Sequence, residues 1–398
     1  MSCISGYIKI MMKQHIGVPA TPLVNVGDTV KKGQLIAMCN GLGANIHSSV
    51  FGVIAEANKT AITISADNFQ SDEYVKIKST ASNLEAVKEA GIVGAGGAGF
   101  PAHAKFDVDL QGGCIILNAA ECEPSLFHNM RVLSEDAEKI ISGIKYIMGM
   151  TNSAKSYIAI KPKNKAEMIA IAKACKNEAN IEIKFLRDIY PTGDERVVIR
   201  EVLGMELKPG QLPTAVGAVV TNVETVKRVT EAIELRKPVI TKDFTVGGRL
   251  ADTLGRNPRV YLDQPIGTPV KKYLKDCGGF IEPHGEVVLG GPFMGRRSED
   301  SSTITKTLSG IFAAMPFPND SRNFGILACE CGAEEERLRE IVAGMGGRVI
   351  CAAKCKRMVE ADGRFRCDKP GCCPGQAGTV LWLKSKGAEA ILAGSCED

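Results

Sequence analysis

The stretch Gly91-Ile-Val-Gly-Ala-Gly-Gly-Ala-Gly-Phe-Pro101 decides how the chain reads, together with Asn118-Ala-Ala-Glu-Cys-Glu-Pro124 downstream. Five glycines in eleven residues remove Cβ atoms where main chain must approach a ligand or take positive φ. Their amides can line a phosphate, and Pro101 suits the first turn of a following helix. Gly94, Gly96 and Gly99 also fit G-x-G-x-x-G, with Glu121 about 20 residues on, the pattern of an ordinary dinucleotide fold. That pattern needs a strand before the glycines. Leu84, Val87 and Ala90 recur instead at helical spacing, and Ser82 or Asn83 can cap a helix there. A helix enters this loop, so the ordinary dinucleotide reading fails.

Outward from the loop, Gly113-Cys-Ile-Ile-Leu-Asn118 is a continuous apolar run of buried-strand type. Asn118, Glu121 and Glu123 fall at or past its C-terminal end, where open α/β sheets bind ligands. Residues 134–148 read as one amphipathic helix with acids in its first turn. Strands at 156–160 and 181–185 flank a lysine-rich helix at 164–177. Alternation of this kind predicts a parallel sheet. Tyr190-Pro-Thr-Gly-Asp-Glu195 leads into a helix over 196–203, and residues 212–226 form a further element centred on Thr221 and Asn222.

The glycine loop, Asn118–Pro124, Tyr190–Glu195 and the Thr221-Asn222 element closely resemble, in order, the flavin-side motifs of RnfC-type electron-transfer subunits and the related NADH-dehydrogenase flavoprotein subunit. The resemblance covers roughly residues 15–315. It implies that Gly94, Gly96, Gly97, Gly99, Asn118, Gly193, Thr221 and Asn222 hold FMN. By the same resemblance Phe100, Lys105, Glu121, Glu123 and Glu195 form the side that receives NADH. Lys105 would neutralise flavin phosphate or the anionic reduced flavin. Glu121 and Glu123 can equally be surface carboxylates, as most acids are.

Residues 1–66 read as short strands joined by turns and resemble the biotinyl/lipoyl barrel-sandwich hybrid that begins such chains. The hairpin Asn40-Gly-Leu-Gly-Ala-Asn45 has no lysine to carry a prosthetic group, so a packing module is expected. Residues 67–82 read as a polar linker. The flavin domain would span residues 83–236. Residues 237–315, with strands around 239–246, 259–262 and 286–294 and a helix over 270–277, resemble the SLBB-type β-grasp module of the same family.

Residues 320–398 form a small α/β end with eight of the fourteen cysteines. The resembling family usually carries two C-x2-C-x2-C-x3-C-P runs for [4Fe–4S] clusters here. Neither is present. Three apolar strands are each expected to end in cysteine, which in a parallel sheet would gather Cys329, Cys331, Cys351, Cys355 and Cys396 at one edge. That layout distantly resembles the small iron–sulfur subunits linking hydrogenase to heterodisulfide reductase. The set can ligate an iron–sulfur cluster, work as a dithiol/disulfide relay with the vicinal Cys372-Cys373, or be buried structural thiols. Irregular spacing disfavours zinc.

The composition, 44% hydrophobic and 24% charged with net charge +4, is that of a globular chain and gives no reason for nucleic-acid binding. No apolar run approaches the roughly 20 residues of a membrane-spanning helix, and the N-terminus lacks the apolar core of a signal peptide, so a cytoplasmic location is expected. The whole pattern resembles an NADH-dependent flavin oxidoreductase passing electrons to a partner reductase, with proline reductase as the implied partner. Homo-oligomerisation is left open. A flavin reductase of other specificity, such as a cobalamin reductase, or a scaffold without cofactor are the alternatives.

Overall fold

A computed structural model of the chain describes residues 6–97 and 99–394. Its centre is a four-stranded, all-parallel sheet in the order Ile181–Phe185, Lys155–Ile160, Cys114–Ala119, Ala218–Asn222. The two middle strands are buried because Ile115, Ile116, Leu117, Ile158, Ala159 and Ile160 leave neither face for water. Asn118 and Asn222 stand opposite each other at the C-terminal ends of paired strands.

The glycine stretch enters from the helix Asn83–Glu89, capped by Ser82, and leaves into the short helix Ala102–Phe106. An isolated bridge between Val93 and Pro101 closes the loop at its neck. The single helix expected over 134–148 is two, His128–Glu135 and Ala137–Thr151. They break at Asp136, whose backbone leaves the helical basin (φ −120°, ψ 27°).

The first residues fold into a four-stranded antiparallel sheet and a three-stranded sheet packed over a core of Ile8, Ile10, Ile36, Ile54 and Ile62. The polar linker is tied down rather than loose. Gln70 exchanges hydrogen bonds with both backbone groups of Phe51, and Ile77 N donates to Arg236 O at 2.9 Å.

The third segment is a five-stranded mixed sheet with the helix Val270–Asp276 against it. Buried ion pairs fasten it to the helix Val223–Glu234 that follows the strand Ala218–Asn222. Lys227 meets Asp243 at 2.9 Å, and Arg228 meets Asp243 and Asp263 at 3.1 and 2.8 Å. Such pairs add little net stability but fix orientation, since each mispaired charge is costly. Lys306 is a second fastener. Its ammonium donates to Asn45 O and Gly91 O, both at 2.7 Å, joining three segments beneath the glycine loop. Burial without a carboxylate drives its pKa down to about 7.

The last segment is a three-stranded parallel sheet, Arg348–Lys354, Asn323–Ala328, Ala390–Gly394, with the helices Glu335–Gly344 and Ala377–Ser385. A hairpin not expected from the sequence, Met358–Ala361 with Arg364–Cys367, projects from it. No helix among the described residues is long and apolar enough to cross a membrane.

Candidate functional site

At the C-terminal edge of the central sheet lies a cavity of about 1010 Å³. Gly96, Gly97, Asn118, Glu121, Glu123, Gly193 and Asn222 line it, so seven of the expected ligand-side residues converge. Within the loop, Gly94 N donates to Phe100 O and Ala95 N to Thr225 Oγ1. The amides of Gly96 and Gly97 have no partner among the described residues. Gly97 has φ +93°, and a Cβ there would meet no protein atom within 4 Å. It would project into open space, so the bare main chain is a bed a ligand can occupy. The Asn129 Oδ1 atom, on a buried side chain lining the cavity, also lacks a partner. Bare amides, paired asparagines and an orphaned acceptor suit a flat, polar-edged mononucleotide such as FMN.

Other expected residues lie elsewhere. Thr221 is buried one position before the edge. Gly94 and Gly99 shape the loop from within, Gly99 resting on Thr307 and His15. Phe100 is not in the wall. Lys105 and Glu195 do not line the cavity either. They pair with each other at 3.0 Å, so Lys105 has a carboxylate partner rather than a free charge for phosphate.

Glu121 and Glu123 are not surface carboxylates. Glu121 sits at φ +37°, a strained value for a non-glycine, and accepts from Asn129 Nδ2 at 2.8 Å. Burial pushes its pKa up to about 7. Glu123 accepts from the amides of Phe293 and Met294, each at 2.9 Å, while burial raises its carboxyl. Those amides belong to a turn where the sequence suggests a strand out to residue 294; the strand ends at Leu289. Between the two acids, Cys122 lines the cavity with its thiol pushed up to about 11 by burial.

The cavity reaches the last segment. Glu330 and Cys331 line it too. Asp194 caps the helix Glu195–Leu203, and the next-but-one residue, Arg196, donates to Glu330 Oε2 at 2.8 Å and to Cys367 O at 2.6 Å. Cys331 is shared with a second chamber walled by Cys329, Cys355, Cys367, Cys372 and Cys373. That chamber measures about 20 Å³, room for one water at most.

Four of these thiols are electrostatically linked: Cys331 interacts with Cys329 and Cys367, and Cys329 also with Cys355. The interaction with Cys331 draws the Cys329 thiol down to about 6 and lowers Cys367, whereas Cys331 itself is raised by those same interactions and Cys355 by burial. Cys351 does not join. It lies mid-strand, and its Sγ faces Leu383 O at 3.7 Å on the opposite side of the sheet. Cys396 lies outside the described residues. Cys367 takes the place expected of Cys351, delivered by the unexpected hairpin. Among the described residues no three His, Cys, Asp or Glu side chains are arranged to hold a metal ion.

Fold and site together define a flavin-type electron-transfer protein built on a barrel-sandwich base. Residues 87–231 match the Nuo51 FMN-binding domain, and residues 3–79 match the RnfC barrel sandwich hybrid domain. The chain belongs to the RnfC family. It is 35% identical over 343 residues to one subunit of the proton-translocating ferredoxin:NAD(+) oxidoreductase complex of Clostridium ljungdahlii, covering 80% of this chain and 73% of that one. It is 34% identical over 305 residues to the corresponding subunit of the Na(+)-translocating complex of Acetobacterium woodii, covering 72% and 68%. It is also 36% identical over 228 residues to the cobalamin reductase PduS of Citrobacter freundii, covering 57% and 48%. A likeness to NAD+-reducing [NiFe]-hydrogenase, at TM-score 0.48 and 21% identity over 58% of this chain and 46% of that one, is too slight to argue from.

Proposed function

We propose that this RnfC-family protein takes electrons from NADH with the help of FMN and delivers them through its C-terminal thiols to a partner reductase. The observation that carries the reading is the position of Cys331, in the wall of both the large cavity and the sulfur chamber. Gly96, Gly97, Asn118 and Asn222 would hold FMN, which when bound supplies the exchange between hydride and electron chemistry. Glu121, with its pKa near neutrality, can hold or release a proton beside the ligand. Beyond it, two electrons and two protons convert a disulfide within the sulfur chain to two thiols. Cys329, drawn towards thiolate, is the nucleophile for exchange, and the exposed Cys373 lies at the outer rim.

The third segment serves as an SLBB-type packing module in this reading, since its turn at Phe293-Met294 supports Glu123. The thiol-rich end, standing where the family usually carries two C-x2-C-x2-C-x3-C-P runs, is what supports a reductase of thiol or selenol chemistry, D-proline reductase, as the partner. The PduS match favours cobalamin reduction as the second reading.

The test is anaerobic purification with FMN, followed by NADH titration and assay against D-proline reductase and cobalamin separately. A yellow protein bleached by NADH, with new thiols appearing on reduction, supports the proposal. A colourless protein removes the flavin, and stoichiometric iron with acid-labile sulfide replaces the thiols by a cluster.

A further inference from the structure

Two adjacent strand ends bring one particular pair of sulfurs together. The strands Asn323–Ala328 and Arg348–Lys354 run parallel, and Ala328 is paired with Lys354. The ladder continues one step further, where Cys355 N donates to Ala328 O at 2.8 Å. The next residue along is Cys329 on one strand and Cys355 on the other. Neighbouring strands lie about 4.8 Å apart, inside the roughly 4.4–6.8 Å of Cα separation that a disulfide spans. Both residues line the small sulfur chamber, Cys329 half-buried and Cys355 buried.

Cys355 also has a donor of its own. Gln376 Nε2 donates to Cys355 Sγ at 2.9 Å. Gln376 Oε1 accepts from Thr379 Oγ1 at 3.3 Å, which leaves the nitrogen end of the amide to the sulfur. Gln376 stands immediately before the helix Ala377–Ser385, and Val380 N donates to its carbonyl at 2.9 Å. The segment leading to it is pinned by Arg357, whose Nε donates to Cys372 O at 2.7 Å. A side-chain amide fixed in this way favours the charged sulfur over the neutral one, because hydrogen bonds to ions are the stronger kind.

We infer that Cys329 and Cys355 are the pair that cycles between dithiol and disulfide, Cys329 attacking and Cys355 resolving, with Gln376 as the positioning residue for Cys355. The inference rests on the thiol reading proposed above and names what the partner must offer, a disulfide. The Cys329 thiolate attacks one sulfur of R–S–S–R′; a Cys329–S–S–R bond forms, the acceptor's own bond breaks, and R′S⁻ takes a proton from water. Cys355 gives its proton to water and attacks Cys329 Sγ. The Cys329–Cys355 bond forms, and RS⁻ leaves and is protonated. The pair loses two electrons, and the acceptor gains them as two thiols. One NADH and one proton carry the two electrons and two protons that restore the dithiol.

The experiment uses the full chain reduced with dithiothreitol and desalted without oxygen, so neither NADH nor flavin enters it. One equivalent of dithiobis-nitrobenzoate is added, free thiols are blocked with N-ethylmaleimide at timed intervals, and peptides are read by mass spectrometry. Cys329–Cys355 should be the dominant disulfide, and Cys355→Ser should leave the nitrobenzoate on Cys329. Gln376→Ala should leave attack on Cys329 unchanged, which also reports an intact fold, and slow the clearance of that adduct about threefold. A hydrogen bond to a charged sulfur changes the thiolate fraction about tenfold, and the sharper nucleophile of the variant recovers roughly a third of that. Gln376→Glu, equal in size but without the donor, should slow clearance further. A dominant Cys329–Cys331 or Cys331–Cys367 bond overturns the pairing. Unchanged clearance, or equal slowing of both steps, overturns the role of Gln376. A Cys329–Cys355 bond that NADH never opens defeats the delivery of electrons to thiols and leaves the pair standing, whereas a different bond that NADH does open defeats the pair alone.

Discussion

Arg196 Nη2 lies 2.8 Å from Glu330 Oε2, and the same carboxylate oxygen accepts from Cys367 N. One ion pair thus joins the capped helix at the cavity rim to the residue between Cys329 and Cys331. With side-chain exposures of 12% and 25%, the pair is shielded enough for its geometry to matter. It sets the sulfur chain against the ligand cavity.

Replacing Arg196 by Ala should therefore uncouple the two chambers. The change leaves Cys367 O without its donor and Glu330 held only by the Cys367 amide and, at 3.6 Å, by Arg366, at about 1–3 kcal/mol of stability. NADH should still bleach the flavin, while thiol formation measured by alkylation and mass spectrometry falls several-fold. Equal loss of both signals would mean that Arg196 serves the cavity alone.

Two glycines of the same loop should fail in opposite ways. A Cβ at Gly91 would lie 2.1 Å from Asn45 O, and the residue is held at φ +68°, so Gly91→Ala should cost upwards of about 3 kcal/mol in urea melts. The Cβ of Gly97→Leu would meet no protein atom within 4 Å, so the variant should fold with a loss of about 1–3 kcal/mol from its positive φ, yet bind no FMN. A yellow Gly97→Leu protein would refute the assignment of the bed.

The Cys329 thiol should be alkylated by iodoacetamide with a rate that rises through a midpoint of about pH 6, well below an ordinary cysteine. Cys331→Ala removes the leading cause of the shift and should move the midpoint upwards. Peptide-resolved mass spectrometry on reduced protein reads it. A midpoint that stays put would assign the acidity to another neighbour.

Glu121 should make the ligand-free protein weaker as pH rises. Its carboxyl binds a proton more tightly when folded, with a pKa of about 7 against 4.5 for the free side chain. Its stabilising contribution is whole below about pH 4.5 and is lost as pH climbs through 7. Glu121→Gln should flatten that part of the stability–pH curve in chemical denaturation. An unchanged slope would mean that the group titrates alike in both states.

Local pattern carries much of this architecture. The glycine spacing, the apolar run at Cys114–Leu117 and the strand–helix alternation each reflect chemistry contained within a few adjacent residues. The hairpin carrying Cys367 is legible too, since Val359 and Phe365 flank Asp362-Gly363, both at positive φ (51° and 70°) in a tight turn. Without that turn, Cys351 is the natural fourth sulfur. Mid-strand residues alternate faces, and its place in the register turns it to the far side. The support of Glu123 by Phe293 and Met294 spans 170 residues and has no periodic signature. The pairing of Lys105 is hidden for the same reason, because nothing local announces a partner 90 positions away.

The bowl that receives the ligand is assembled from distant stretches: Lys9, the glycine loop, the turn at Phe293 and the rim at Glu330. A protein engineer who excised residues 83–236 as a minimal flavin module would keep the floor and discard most of the sides. Borrowing this centre for another enzyme means transplanting nearly the full polypeptide.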